Sequence, residues 1–430
     1  MRTKAARSAK KARGRKNNPK RNVEVPLEEV LKAAEAAATA FDIENGIQLY
    51  AKAASLLRQG RSIPGETREW QLVRILEKLG ELKVSVGDQD GAVQDFREAI
   101  RLLEQEEKTL KFYDTYSSLS MYIGQLCVED EARAAYEQGV LCLESCMKLA
   151  QQELATDPGI SNPTINSQMQ DLSRKLCLAY CAVAELYLTD LCYDEDAEGK
   201  CEAVLEKAMQ IKDTDGEPLV DALQTMASLR LSQTSRRLEA AACVLRAYEK
   251  MRVGCEALAQ LVGISEPKDI NDSESNVESV ELQNVDAASS LPEFEFRCQT
   301  AKLLLECADI SKGESAVSGS PDQQAELCVV AAIAVLGSLL AENDEVVEIW
   351  FLSGCAFASK TPPQIDLAIY YLRRSMEMLL DIKKSLEQEA GFAEGEDKQE
   401  IEEQLAQNEA LLSDVQSKLQ QAETAATPRQ

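Results

Sequence analysis

The sequence predicts an all-α protein, a right-handed superhelical solenoid of about seven stacked helical hairpins. Three observations carry that expectation. Ala, Leu, Glu, Lys and Gln abound while aromatics make up only 5 % of residues, a mixture with high helix propensity. The 12 Pro and 20 Gly gather between periodic segments rather than inside them. At 430 residues with 45 % hydrophobic content, the chain has material for a large core, but more than one compact domain holds unless it is built from repeats.

The repeat is clearest in "LEKLGELKVSVGDQDGAVQDFREAIRLL". Leu76, Leu79, Gly80 and Lys83 fall on bulky–x2–Leu–small–x2–bulky positions of a first helix, and Ala92, Phe96 and Ala99 on Ala–x3–aromatic–x2–Ala positions of a second. Gly87-Asp88 supplies the turn, and only Lys83 departs from type. This is the tetratricopeptide pattern, in which small residues let the two helices of a hairpin approach closely. The next copy has Tyr116, Leu119, Ser120 and Ile123, then Ala132, Tyr136 and Gly139. Another has Tyr180, Val183, Ala184 and Tyr187, then Cys201, Leu205 and Ala208, with about five extra residues in the turn. A late copy places Trp350, Ser353, Gly354 and Phe357 before Ala368 and Leu372. Weaker copies cover 27–59, 217–262 and 293–341. No such hairpin buries its apolar faces alone, so neighbours stack and leave a concave groove.

In chain order, residues 1–24 read as a basic, disordered arm and 25–155 as N-terminal hairpins. A linker follows at 156–168, then central hairpins at 169–263. The acidic, Ser/Asn-rich stretch 264–292 reads as a disordered loop. C-terminal hairpins occupy 293–387, with 311–323 as a loop inside one of them. A capping region at 388–424, with its polar closing helix near 397–422, and a tail at 425–430 complete the chain.

Composition closes several functional classes. With no histidine, catalytic triads, Cys-His dyads and histidine-ligated zinc or haem are excluded, and no Gly-rich phosphate loop or paired-carboxylate pocket is apparent, so no enzyme is expected. The 13 cysteines form no C-x-x-C pair and fall singly in apolar stripes, which reads as small buried hydrophobes in a reducing compartment. The basic start is not followed by an apolar segment, and the longest nearly apolar run, 328–341, is too short to span a bilayer. An intracellular, soluble and monomeric protein is expected, without contact to a membrane. Ten of the 47 cations lie in residues 1–22, which hold no acid, so the rest of the chain carries 37 cations against 73 carboxylates. Such a body repels nucleic acid and attracts basic protein.

One stretch imitates a metal site. In "TDLCYDEDAEGKCE", Asp194, Asp196, Glu198 and Gly199 occupy positions 1, 3, 5 and 6 of a calcium-loop pattern, with Cys192 and Cys201 on either side. Position 12, however, is Leu205, where a calcium loop needs a bidentate Glu, and two thiols without histidine make half a zinc site. The stretch is read as an acidic turn, with no metal and no cofactor.

The same stretch, "ELYLTDLCYDEDAEGKCE", followed by "DALQTMASLRLSQ" and later "ENDEVVEIWFLSGCAF", resembles the tetratricopeptide-type assembly chaperones of the large-subunit ribosomal protein L-four. The likeness covers about 176–262 and 325–387, and the N-terminal third matches only as repeat sequence. The resemblance implies an escort that grips the long basic internal loop of newly made ribosomal protein L-four. It keeps the client soluble, carries it to the nucleus and releases it to the nascent large subunit. Cytoplasmic and nuclear residence is expected, with import receptors as further partners.

The client-binding candidates are acids near the groove and turns of the matched regions: Glu185, Asp190, Asp194, Glu195, Asp196 and Asp221, and then Asp344, Glu345 and Glu348. The alternative for each is a solvated surface charge. Trp350 or Phe351 could stack on a client Arg, although Trp350 occupies a core position of its repeat. The arm resembles a nuclear-import signal through Lys10, Lys11, Arg13, Arg15, Lys16, Lys20 and Arg21, its rivals being RNA contact or folding back onto the acidic body. Ser275 and Ser279 sit among acids, as acid-directed phosphorylation requires. Two other functions compete. A general acidic scaffold or histone-type chaperone would share the charge, whereas an Hsp90/Hsp70 co-chaperone would need Lys, Arg and Asn on first helices that here bring Cys, Leu, Glu and Ser.

Overall fold

A computed structural model describes residues 26–156, 163–263, 291–318, 323–393 and 395–426. They form fifteen helices and no strand, the one β-type pairing being an isolated bridge between Lys212 and Pro218. The helices fall into two compact units divided between Leu126 and Cys127.

The first unit holds α1 (Leu27–Thr39), α2 (Ile43–Arg58), α3 (Arg68–Ser85), α4 (Gln89–Leu103) and α5 (Leu110–Leu126), each packed on the next. Local chemistry sets the boundaries. The Thr67 hydroxyl accepts the Trp70 amide at 3.2 Å to start α3, and Asp88 accepts the Gly91 amide at 3.0 Å to start α4. Gly87, at φ +80°, makes the reversal between α3 and α4 that a side chain would strain. Buried Gln71 ties down the loop before α3, donating to Ile63 O at 2.6 Å and Glu66 O at 3.0 Å. The small place of the repeat has a direct steric cause: a Cβ on Gly80 would stand 2.4 Å from the Phe96 ring. Phe96 is fully buried and stacks on Tyr122 of α5 at 5.0 Å. Lys83, the residue out of type, reaches Asp95 at 2.6 Å and Gly91 O at 3.2 Å, so its cation pins α3 to α4.

The second unit comprises α6 (Glu129–Thr156), α7 (Pro163–Leu188), α8 (Ala197–Gln210), α9 (Val220–Ser232), α10 (Arg237–Leu261), α11 (Phe294–Ser318), α12 (Gln323–Glu342), α13 (Val347–Ser359), α14 (Ile365–Ala390) and α15 (Glu396–Ala426). Four hairpins, α7/α8, α9/α10, α11/α12 and α13/α14, follow the predicted register. Each first helix touches the next, giving one layer α7–α9–α11–α13–α15. Cys201 donates its thiol to Ala184 O at 3.4 Å, and a Cβ on Gly354 would lie 2.6 Å from Leu372. Both contacts repeat the Gly80–Phe96 logic. One apolar core runs from Ala227 to Tyr371 through α9 to α14. Nine of the thirteen cysteines are buried and none is bonded to another. Burial pushes the Cys201 and Cys307 thiols up to about 12, which makes them poor nucleophiles.

Several boundaries differ from the expected ones. The first unit closes at Leu126 rather than near 155, because α6 belongs with α7. There the Tyr180 hydroxyl donates to Glu144 at 2.6 Å. The linker expected over 156–168 is shorter, since α7 starts at Pro163, a first-turn position that needs no amide hydrogen. Helix continues to Ser318 within the expected 311–323 loop, and the closing helix runs over Glu396–Ala426 rather than 397–422. The apolar run at 328–341 sits in a helix of 20 residues, long and apolar enough to cross a membrane by length and composition, yet 72 % of that stretch is buried. Its apolarity serves the core.

Candidate binding face

The first-helix layer brings together Glu185 of α7 and Asp221 of α9. Glu185 follows the buried Ala184 late in α7, and Asp221 lies in the first turn of α9, where these two first helices meet. The Thr225 hydroxyl, which donates to Asp221 O at 3.0 Å, also lies within reach of Glu185. Burial raises both carboxyls above the usual range, and for Glu185 the neighbouring Asp221 charge raises it further. Glu185 is nonetheless open to solvent at its surface, so it sits between protein walls rather than beneath them. Tyr136 of α6 is pushed up by burial first and then by Glu185 and Asp190, which places a third element beside the same charges. Arg174 of α7 lies near enough to Asp221 to oppose part of that rise, and a ligand cation would act on Glu185 in the same sense.

The other predicted acids divide by their partners. Asp190, Glu195 and Asp196 are exposed in the α7–α8 turn, where Asp196 takes a left-handed φ of +60° to open α8. Asp194 is half-buried, within 3.7 Å of Arg133 and 4.0 Å of Lys200, so the turn holds its own counterions. Tyr193 projects beside it, 98 % exposed. In the α12–α13 turn, Asp344 and Glu345 are exposed while Glu348 pairs with Lys302 of α11 at 2.9 Å. The structure therefore forms two separate acidic groups, and Asp194 and Glu348 are already engaged. The sequence offered no signal for those pairings, whose partners lie 61 and 46 positions away.

Trp350 donates its indole N–H to Asp344 O at 2.7 Å, packs on Tyr371 at 5.5 Å and already has Arg374 over its ring at 5.9 Å. Phe351 packs against Leu372 and the closing helix. The calcium-like stretch has Leu205 fully buried at its twelfth position, and no group of three metal-ligating side chains occurs among the described residues. Lys10, Lys11, Arg13, Arg15, Lys16, Lys20 and Arg21, with Ser275 and Ser279, lie outside the described residues.

Comparison with known proteins agrees with this architecture. A Schizosaccharomyces pombe protein named "Probable assembly chaperone of rpl4" is 27 % identical over 284 residues, which cover 65 % of this chain and 62 % of that relative. The solved structure of the assembly chaperone of RpL4, Acl4 (residues 1–338), superposes with a TM-score of 0.52 at 23 % identity, over 77 % of this chain and 95 % of its own. The nuclear import adaptor Nro1 gives a TM-score of 0.34 at 13 % identity, over 87 % and 97 %. No family model matches the chain. The chain shares the helical-repeat fold of Acl4 and is similar in sequence to the assembly chaperone of rpl4.

Proposed function

We propose that this chain is a dedicated chaperone of newly made ribosomal protein L4, a binding protein rather than an enzyme. It holds the client's basic internal segment against the first-helix layer, keeps it soluble and escorts it to the nucleus for large-subunit assembly. The observation that carries the reading is the likeness over 284 residues to a relative named for assembly of rpl4. The Glu185–Asp221 pair supplies the chemistry, because a client cation offsets the desolvation that raises both carboxyls, which Arg174 opposes only at Asp221. A client rich in Lys and Arg binds RNA indiscriminately through counterion release unless its charges are covered. The basic arm, with ten cations in residues 1–22, serves import.

The test isolates tagged full-length chain, and chain lacking residues 1–22, from cells and identifies what each carries. Ribosomal protein L4 is expected with both, and nuclear entry only with the full chain when the client is depleted. Histones in place of L4 would make the chain a general acidic scaffold, and Hsp90 would make it a co-chaperone. Undiminished entry of the truncated, client-free chain would remove the import role of the arm.

A further inference from the structure

A groove of about 660 Å³ opens on the first-helix layer between α11, α13 and the last turns of α15. Its floor is apolar, with Leu305 and Ile310 from α11 and Phe351 and Leu352 from α13, all only half-buried. Small residues keep it open: Cys355 and Ala358 on α13, and Ala422 and Ala425 on the closing helix. Glu306 and Asp309 stand exposed along the α11 wall, and Lys418 on the α15 wall. The groove therefore offers hydrophobic area that the fold leaves uncovered, edged on one side by carboxylates.

We propose that this groove takes an aliphatic or aromatic side chain of the basic client, with the cations flanking that side chain set against Glu306 and Asp309. The closing helix is then a wall of the client site and not only a cap on the core. This rests on the reading of the chain as an L4 chaperone, and it adds a contact of different physical character. Ion pairs at exposed positions are individually weak and salt-sensitive, so they favour any basic chain alike. An apolar side chain seated in a groove of this size is insensitive to screening and selects by shape. The carboxylate edge decides the occupant: an acidic segment would meet Glu306 and Asp309 with like charge, whereas a basic one is drawn to them.

The experiment compares the full-length chain with an Ala358→Trp variant that fills the groove, using purified ribosomal protein L4. Wild-type binding should keep a salt-resistant component at about 1 M salt, where the screening length is about 3 Å. Ala358→Trp should lose that component, with affinity falling by at least about tenfold while helicity by circular dichroism stays unchanged. A second readout needs no variant. Burial pushes the Cys355 thiol up to about 11, so its slow alkylation is followed by mass spectrometry in the wild-type chain at mildly alkaline pH, and it should slow severalfold further when L4 is bound. Wild-type chain that binds L4 with no change in Cys355 alkylation overturns the groove assignment alone. Wild-type chain that does not bind L4 at all overturns the chaperone reading, and the groove assignment with it.

Discussion

At Glu185 and Asp221 the fold holds two carboxylates where ionisation is disfavoured, and that cost has a pH signature. Burial raises both groups, with Asp221 raising Glu185 further. A carboxyl whose folded pKa exceeds its unfolded value binds its proton more tightly in the folded state. Its contribution to stability is then full below the unfolded values, about 3.9 for Asp and 4.3 for Glu, and is lost as pH rises through the folded ones. The variant Glu185→Gln/Asp221→Asn should accordingly unfold at a higher temperature than wild type at neutral pH. The difference should close as pH falls toward about 4. The same variant should hold L4 less tightly at neutral pH, the pattern expected of acids kept for binding at some expense of stability. Thermal melts across that pH range decide the matter, and a variant less stable than wild type at neutral pH would make these acids structural. Gly80 shows the opposite case of a residue whose role the sequence displayed openly. Its place in the repeat demands a small side chain, and the Phe96 ring, 2.4 Å from where a Cβ would stand, is the reason.

Among the helices, α15 was legible as a polar closing element but not in its period. Ile401, Leu405, Asn408, Leu412, Val415, Leu419 and Ala422 alternate at four and three residues, the 3.5-residue seam of a coiled coil, and the last five are buried. The seam packs on α14, where Leu372 and Leu379 are buried, with Arg373–Glu423 and Lys383–Glu409 pairs, both at 2.7 Å, flanking it. Charged residues dilute a seam with so few apolar positions, so overall polarity hides it. Proline and glycine misled in a similar way: the Asn-Pro of "TDPGISNPTINSQ" reads as a break, yet proline is at home in a first helical turn, where α7 begins. Repeat positions, by contrast, were readable because each small–large pair is a local demand, made within about twenty residues. The pairing of Glu348 with Lys302 is set by which hairpins stack, and no local pattern records it. In the α15 seam, Asn408 is buried with no partner for its amide oxygen. A buried polar atom left unpaired costs about 1–3 kcal/mol, and one Asn in such a seam is a device for fixing register. Asn408→Leu should therefore raise the unfolding midpoint in a denaturant titration. An unchanged or lower midpoint would mean that the Asn oxygen has a partner in solution.

For the whole molecule, a formal charge of −26 raises the question whether capture depends on total charge or on where the charge sits. Net charge acts through a field that salt screens over about 8 Å at physiological ionic strength, so it speeds encounter with any basic partner. A placed carboxylate acts at contact distance and discriminates. Two quadruple reversals to Lys separate these effects, because they change the net charge equally. One alters Glu185, Asp190, Asp221 and Glu345, spread over the first-helix layer and its turns. The other alters Glu274, Glu278, Glu281 and Asp286 in the acidic stretch after α10. An exposed pair contributes about 0.2–1 kcal/mol, so four such pairs come to about 1–4 kcal/mol, with the half-buried Asp221 contributing more than the others and like-charge repulsion adding to the loss. The first variant should lose about tenfold or more in affinity for L4 and the second much less. For wild type, dissociation should steepen with salt, whereas the first variant should show a shallower salt dependence because it has fewer contacts to screen. Equal losses in both variants would assign capture to the general field of an acidic scaffold, and the first-helix face would no longer be the site of recognition.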